Sequence, residues 1–337
     1  MQENHPLTIV CGADNKFSMP LAVTLFSALA NLESPLAIDL YIIDGGISVH
    51  NKIRITKAIE QSGKEFRLHW VPFDLTEMTS VRQTKYISKA TYLRILVPDL
   101  LPRKVTKVIY LDCDLIVEAN LMHLWQIDME EKAAMGVQDF SFPYVSSPSA
   151  VCNFSSLNLP PHTPYCNAGV LVINLSYWRE HDFVRRIFDY LNEKGNALKH
   201  NDQEGINVVI GGNWHLLDPR WNVTLSSINC FGKELNAADN TINFYKDQFR
   251  SNPFVIHFTS RHKPWHTGSG NKEALNSFYY DQPYFNRFFF YLRKSRWFNP
   301  FRFQFWLQRR KAVLALEYKL PRKLSLLRSR KLKTVQN

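Results

Sequence analysis

The chain has 337 residues, 45% hydrophobic and 21% charged, with a formal net charge of +11. That is ordinary globular composition, enough for one large domain or a core domain with an appendage, and it excludes a disordered or collagen-like chain. No run reaches the roughly 18 uncharged apolar residues of a membrane span. The opening MQENHPLTIVCGAD lacks a basic region followed by an apolar one, so a cytoplasmic location is expected.

In chain order, LTIVCGA (7–13) reads as a β-branched-rich strand ending in a turn, and the apolar-periodic stretch from Ser18 to about Ala30 as a helix. LAIDLYIID (36–44) is a second strand, 48–62 a polar helix, and EFRLHWVPF (65–73) a third strand. SKATYLRILV (88–97) reads as a helix stopped by Pro98, and KVTKVIYLD (104–112) as a fourth strand. Further strands are expected at 133–139 and 168–175, separated by a Pro/Ser/Asn-rich loop, then a helix over 178–193 and a strand at FVIHF (254–258). Strands alternating with helices predict an α/β fold, a mostly parallel sheet covered on both faces.

The charge is unevenly placed. From Arg287 to Asn337 there are 15 Lys or Arg against one acid, Glu317, leaving 26 basic and 29 acidic residues elsewhere. We therefore expect a near-neutral body over 1–282 and a basic tail over 283–337. The tail interleaves aromatics and leucines with its cations, a composition that suits a helix on an anionic membrane surface. Nucleic-acid binding and a merely solvated helix are the competing readings of such a tail. The five cysteines, Cys11, Cys113, Cys152, Cys166 and Cys230, include no C-x-x-C pair, so neither zinc nor a disulfide framework is signalled.

The stretch IYLDCDLIV (109–117) carries the sharpest chemical signal. In an open α/β sheet, ligands bind beyond the carboxyl ends of the strands. Asp14 and Asn15 follow the first strand there, and Asp112 and Asp114 the fourth. In extended chain, positions i and i+2 point the same way, so the two carboxylates of Asp112-Cys113-Asp114 lie together. At roughly 5–7 Å, two like charges cost about 1 kcal/mol or more unless something relieves them. A hard divalent cation, Mn²⁺ or Mg²⁺, does so; the competing reading is an acidic turn in solvent. Such ions are commonly shared with phosphate oxygens. The chain contains neither a Walker motif nor G-x-G-x-x-G, which argues against a P-loop ATPase and a dinucleotide-binding dehydrogenase. A diphosphate held through a metal is what remains.

These residues, with IVCGADNKF (9–17), ISKATYLRI (87–95), YCNAGVLVINLSYWREHD (165–182), HNDQEGIN (200–207) and HFTSRHKPWH (257–266), resemble glycosyltransferase family 8, and within it bacterial lipopolysaccharide α-galactosyl- and α-glucosyltransferases. The resemblance implies a GT-A type, Rossmann-like body with a mixed, mostly parallel sheet. It implies that Gly12, Ala13, Asp14, Lys16 and Phe17 form the uridine loop, and that Asp112, Asp114 and His257 hold Mn²⁺ or Mg²⁺, with Cys113 inside the same motif. Arg94, Asp112, Asn167, Ala168, Asp202 and Gln203 match donor-sugar contacts, Lys263 a diphosphate-binding lysine, and Asp139 an acid near the acceptor. Ser260 stands where the family often has glycine; its amide could still meet a phosphate. Tyr86 and Ile87 fall where acceptor-facing residues vary. The implied donor is UDP-galactose or UDP-glucose and the implied acceptor a saccharide or glycolipid, with no nucleic-acid partner expected. An enzyme of this kind would work at the inner face of the cytoplasmic membrane.

Several of these residues also have plainer readings. Arg94 could be a surface arginine, Asp202 and Gln203 simple helix caps, Asn167 a turn residue, and His257 a hydrogen-bonded core histidine. Other functional classes stay open as well: a nucleotide-sugar hydrolase or nucleotidyltransferase using the same metal, or a non-catalytic membrane- or nucleic-acid-binding protein.

Overall fold

The computed structural model describes residues 5–78, 88–224, 227, 239–259, 263–265, 282–306 and 308–309. Among these, nine strands run as β1 (Leu7–Ala13), β2 (Ile38–Asp44), β3 (Arg67–Pro72), β4 (Lys107–Leu111), β5 (Leu115–Val117), β6 (Ala134–Gln138), β7 (Cys166–Asn174), β8 (Trp214–Leu216) and β9 (Val255–His257). The helices are α1 (Ser18–Ala30), α2 (Val49–Glu60), α3 (Val97–Leu100), α4 (Met122–Trp125), α5 (Leu175–Glu180), α6 (Phe183–Lys194), α7 (Asn201–Ile210), α8 (Asp239–Ser251) and α9 (Gln282–Lys294).

Seven strands form one sheet in the order β3-β2-β1-β4-β7-β6-β8, and β5 pairs with β9 in a second, two-stranded sheet. β1 is parallel to both β2 and β4, and β2 to β3. β7 runs antiparallel to both β4 and β6, while β6 and β8 are parallel. The sheet is mixed and mostly parallel, as expected. β1 and β2 are buried at every position, which is why their sequences read as continuous apolar runs. The chain leaves β1 towards β2 on one side and β4 lies on the other, so a switch-point crevice opens at the ends of β1 and β4.

Helix α1 explains how that crevice is held. Leu21, Leu25 and Leu29 are buried at helical spacing, each contributing about 1.5–3 kcal/mol. Its polar residues are buried too, and they serve the free edge of β5. Thr24 Oγ1 donates to Leu115 O (2.9 Å) and accepts from Leu115 N (3.1 Å), Ser27 Oγ accepts from Val117 N (3.0 Å), and Asn31 Nδ2 donates to Val117 O (2.8 Å). A strand edge that would otherwise bury unpaired amides is satisfied by one helix.

Two expected elements differ. Residues 88–97 form a 3₁₀ helix, Lys89–Arg94, followed by α3, with Pro98 inside the first turn of α3 instead of ending a helix. A helix's first turn has orphan N–H groups, so proline is tolerated there. The helix expected over 178–193 is two, α5 and α6, broken at Asp182, whose φ of 52° is left-handed.

The chain divides into two compact units, residues 1–259 and 260–337. The second contains α9 and a helical stretch over 300–306. Tyr284, Phe285, Phe288 and Leu292 are buried, whereas Phe290, Phe301 and Phe305 are exposed. Among the described residues, no helix is long and apolar enough to cross a membrane. Residues 307 and 310–337, about half of the basic tail, lie outside the described residues, as do Tyr86, Ile87 and Ser260.

Candidate active site

Several chain segments meet at the carboxyl ends of β1 and β4. After β1, Asp14 Oδ1 accepts from the backbone of Lys16 (2.9 Å) and Phe17 (3.3 Å), capping a 3₁₀ turn, and Asp14 Oδ2 accepts from Ser88 Oγ (2.8 Å). Gly12 lies within β1 where a Cβ would stand 2.9 Å from Leu93 Cβ, so the strand and the 89–94 turn need glycine to approach. Ala13 ends the buried strand, Lys16 is exposed and Phe17 half-buried.

After β4, Asp112, Cys113 and Asp114 bridge to β5. The β5–β9 register sets Leu115 opposite His257, which brings the imidazole beside the acids. His257 Nε2 lies 3.2 Å from Asp114 Oδ1 and 3.7 Å from Asp112 Oδ2. One ligand atom from each of the three residues lies within 4.8 Å of the others. Adjacent oxygen or nitrogen ligands of one octahedral ion with bonds of about 2.1 Å stand about 3 Å apart, so the donor set fits a divalent cation. Gly169 supplies the room: a Cβ there would meet His257 Cε1 at 2.2 Å, His257 Nδ1 at 2.6 Å and Asp112 Oδ2 at 3.0 Å. Burial, opposed by Arg94, and then the charge of Asp114 raise the Asp112 carboxyl above the usual carboxylate range. A cation would relieve that repulsion.

Arg94 is no surface arginine. It is buried, with Nη2 2.7 Å from Asp112 Oδ1 and Nε 3.0 Å from Asp202 Oδ2, and Nη1 donates to Ala168 O. Burial works against its charge, but Asp112 and Asp202 outweigh it and hold the guanidinium ionised. Asp202 Oδ1 accepts from Thr91 Oγ1 (3.4 Å). Burial, resisted by Arg94 and assisted by Asp112, pushes the Asp202 carboxyl up to about 6.

Asp202 and Gln203 do not cap α7. That work falls to Glu204, fully buried, which accepts from the backbone of Lys199 (2.6 Å), His200 (3.2 Å) and Cys152 (2.8 Å) and from Tyr190 OH (2.9 Å). Because Glu204 serves the helix start, its two neighbours can turn elsewhere. Gln203 Oε1 accepts from Ala168 N (3.2 Å) and its Nε2 donates to Asp139 Oδ2 (3.2 Å). Asn167 Nδ2 donates to the same Asp139 oxygen (3.2 Å). Asp139, Asn167, Ala168 and Gln203 thus form one hydrogen-bonded wall beside Arg94, Asp112 and Asp202.

Thr91, Gly169 and Asn222 complete this arrangement and were not singled out from the sequence. Gly169 stands in the quoted Asn-Ala-Gly stretch, whereas nothing around Asn222 in RWNV marks it. Lys263 belongs to the second unit, where its ammonium lies 5.9 Å from the Trp265 ring centroid.

This is the layout of a GT-A type fold: paired acids and a histidine at a switch-point crevice, with no glycine-rich phosphate loop. The description "Glycosyl transferase family 8" matches residues 8–268, and the chain belongs to that family. It is similar to general stress protein A of Bacillus subtilis, 25% identical over 88% of this chain and 96% of that protein. It is also similar to the lipopolysaccharide 1,2-glucosyltransferase of Escherichia coli, 25% identical over 77% of this chain and 73% of that one. Among solved structures, the galactosyltransferase LgtC in complex with donor and acceptor sugar analogues superposes with a TM-score of 0.68 at 22% identity, covering 85% of this chain and 95% of that chain.

Proposed function

We propose that this glycosyltransferase moves galactose or glucose from its UDP-sugar to a hydroxyl of a saccharide or glycolipid, with retention at the anomeric carbon and dependence on Mn²⁺ or Mg²⁺. The observation that carries the reading is the convergence of Asp112, Asp114 and His257 beside the Arg94–Asp202 pair. The similarity to a lipopolysaccharide glucosyltransferase supports lipopolysaccharide as the acceptor class.

Asp112, Asp114 and His257 would hold the cation, which when bound supplies positive charge to the diphosphate. The 12–17 loop would receive the nucleoside. Arg94 and Asp202 would position sugar hydroxyls, and the Arg94 charge opposes the burial that raises the Asp112 and Asp202 carboxyls. Retention by double displacement needs a carboxylate nucleophile under the anomeric carbon. Gln203 offers an amide whose two ends are engaged, and the two oxygens of Asp202 are tied to Arg94 and Thr91. These ties favour front-face reaction. The bond from the anomeric carbon to the phosphate oxygen breaks, the acceptor oxygen bonds to that carbon from the same face, and the departing phosphate oxygen takes the acceptor proton. Trapping of a glycosyl group on Asp202 in the mass spectrum would overturn this route.

The test is UDP release with Mn²⁺ over a panel of UDP-sugars, then with core-oligosaccharide acceptors. Asp114→Asn is expected to abolish transfer and metal-dependent UDP binding while leaving the far-UV circular dichroism spectrum unchanged. Full activity of that variant in EDTA would remove the metal from the mechanism.

Exposed Phe290, Phe301 and Phe305, together with the 15 basic residues after position 286, support attachment of the second unit to anionic lipid at the inner face of the cytoplasmic membrane. Co-sedimentation with anionic liposomes should fall in the Phe301→Ser/Phe305→Ser variant; equal binding by that variant would count against attachment through these rings.

A further inference from the structure

The hydrogen bonds behind the crevice run in one direction. Asp139 Oδ2 accepts from Asn167 Nδ2 (3.2 Å), Asn167 Oδ1 accepts from Asn222 Nδ2 (2.8 Å), and Asn222 Oδ1 lies 2.9 Å from His257 Nδ1. Each polarity follows from the one before. An ionised carboxylate can only accept, so Asn167 must turn its NH₂ to Asp139 and its oxygen to Asn222. The backbone N–H of Gly169, a donor that cannot invert, enforces the same choice by donating to Asn167 Oδ1 (3.0 Å). Asn222 must then donate to that oxygen and present its own oxygen to His257. An amide oxygen only accepts, which puts a proton on Nδ1 and leaves Nε2, the nitrogen that faces Asp112 and Asp114, as the atom that can turn a lone pair to a cation.

Burial makes this arrangement decisive. Asn222 is 2% exposed and His257 6%, so water cannot substitute for a lost partner. A ring without a proton on Nδ1 would leave Asn222 Oδ1 unpaired, a state that buried polar groups avoid. The backbone fixes the ring's place as well: His257 N donates to Val223 O (2.8 Å), and Val223 N donates to Val255 O (2.8 Å), which seats the Asn222 segment directly beside β9.

We propose that Asn222 is the positioning residue that makes His257 a metal ligand, by holding its proton on Nδ1. Asn167 and Asp139 hold Asn222 in turn, so the acid at the expected acceptor side and the imidazole at the cation share one hydrogen-bonded chain. The proposal rests on the metal reading above, and one of its two measurements is independent of any metal.

The first measurement is the ¹⁵N signature of the His257 ring in metal-free full-length protein, assigned by its loss in His257→Asn. The wild type should show Nδ1 protonated and hydrogen-bonded, and Asn222→Ala and Asn222→Leu should lose that Nδ1–H signature. Two truncations are read because one of them could fail to fold. The second measurement is Mn²⁺ binding by electron paramagnetic resonance in the presence of UDP. Each truncation should weaken it roughly 10–100-fold, the usual effect of removing a partner of a ligating histidine. Asn222→Asp, whose carboxylate still accepts from Nδ1–H, should stay within about threefold of wild type. Truncations with an unchanged ring signature, or Asn222→Asp as weak as Asn222→Leu, would overturn the proposal. A wild type that shows the Nδ1–H ring but binds no Mn²⁺ would instead leave the relay standing and refute the metal reading.

Discussion

Arg94 and Arg67 each grip aspartate through two nitrogens, at opposite ends of the sheet. Arg94 spans Asp112 and Asp202 with 7% of its side chain exposed, while Arg67 holds Asp39 with 59% exposed. The Arg67 pair lines a cleft of about 990 Å³ with Tyr41, His69, Lys104 and Trp125, away from the paired acids. What marks the chemistry at the crevice is burial of charge. At the crevice one buried guanidinium must answer two carboxylates, whereas Arg67 answers a single buried carboxylate, Asp39, with its own guanidinium still largely in solvent.

The largest expected effect comes from removing the inner cation. Arg94→Met leaves Asp112 and Asp202 buried and facing each other. Breaking a buried pair from one side costs about 3–5 kcal/mol. Urea denaturation at pH 7.5 in EDTA should show a loss of that size, partly regained near pH 5 as a carboxyl takes a proton. A loss no larger than that of a surface substitution would make the inner and outer pairs equivalent.

Next comes the pH response of Asp202. Its folded value of about 6 lies above the roughly 3.9 of an unfolded aspartate. A carboxyl raised in this direction contributes stability that is complete below the unfolded value and lost as pH rises through about 6. The whole window is worth roughly 3 kcal/mol, most of it between pH 4 and pH 7. Metal-free wild type should therefore gain about 2 kcal/mol relative to Asp202→Asn when urea unfolding is moved from pH 7 to pH 4. Parallel pH profiles for the two proteins would show that Asp202 is not perturbed.

Gly169→Ala tests how tightly the inner region is packed. The added carbon falls 2.2 Å from His257 Cε1, so the ring must leave its place against Asn222. Overpacking of this kind costs about 1–3 kcal/mol, and Mn²⁺ affinity should fall roughly tenfold or more. Wild-type thermal stability together with wild-type Mn²⁺ affinity would show that the cradle is loose.

How much of this was legible in the sequence differs between the halves of the sheet. β1, β2 and β4 announce themselves as apolar runs ending in turn residues or acids, and a strand end in an open sheet is where a ligand site belongs. β7 gives no such direction: AGVLVINL is buried except at Asn174 and reads alike in either orientation, so its antiparallel run between β4 and β6 could not be seen. The D-x-D acids were readable from local spacing alone, while His257 was reachable only through family resemblance. Asn222 was invisible, because its role comes from Asn167 and His257, 55 and 35 positions away. Pro98 misled for a local reason: it lies in the first turn of α3, where proline starts an α-helix instead of ending one.

The smallest effect expected is at the outer pair. Arg67→Met removes a guanidinium that is itself mostly in solvent, and buried Asp39 keeps a neighbour in His69, 3.2 Å away. A pair whose cation stays in solvent contributes less, because holding the long side chain in one geometry offsets a partly screened attraction. The melting temperature should shift by no more than about 2 °C, with UDP release unchanged. A fall comparable to that of Arg94→Met would mean that the edge of β3 is stabilised through Arg67 packing along the sheet, and burial would no longer explain why the two arginines differ.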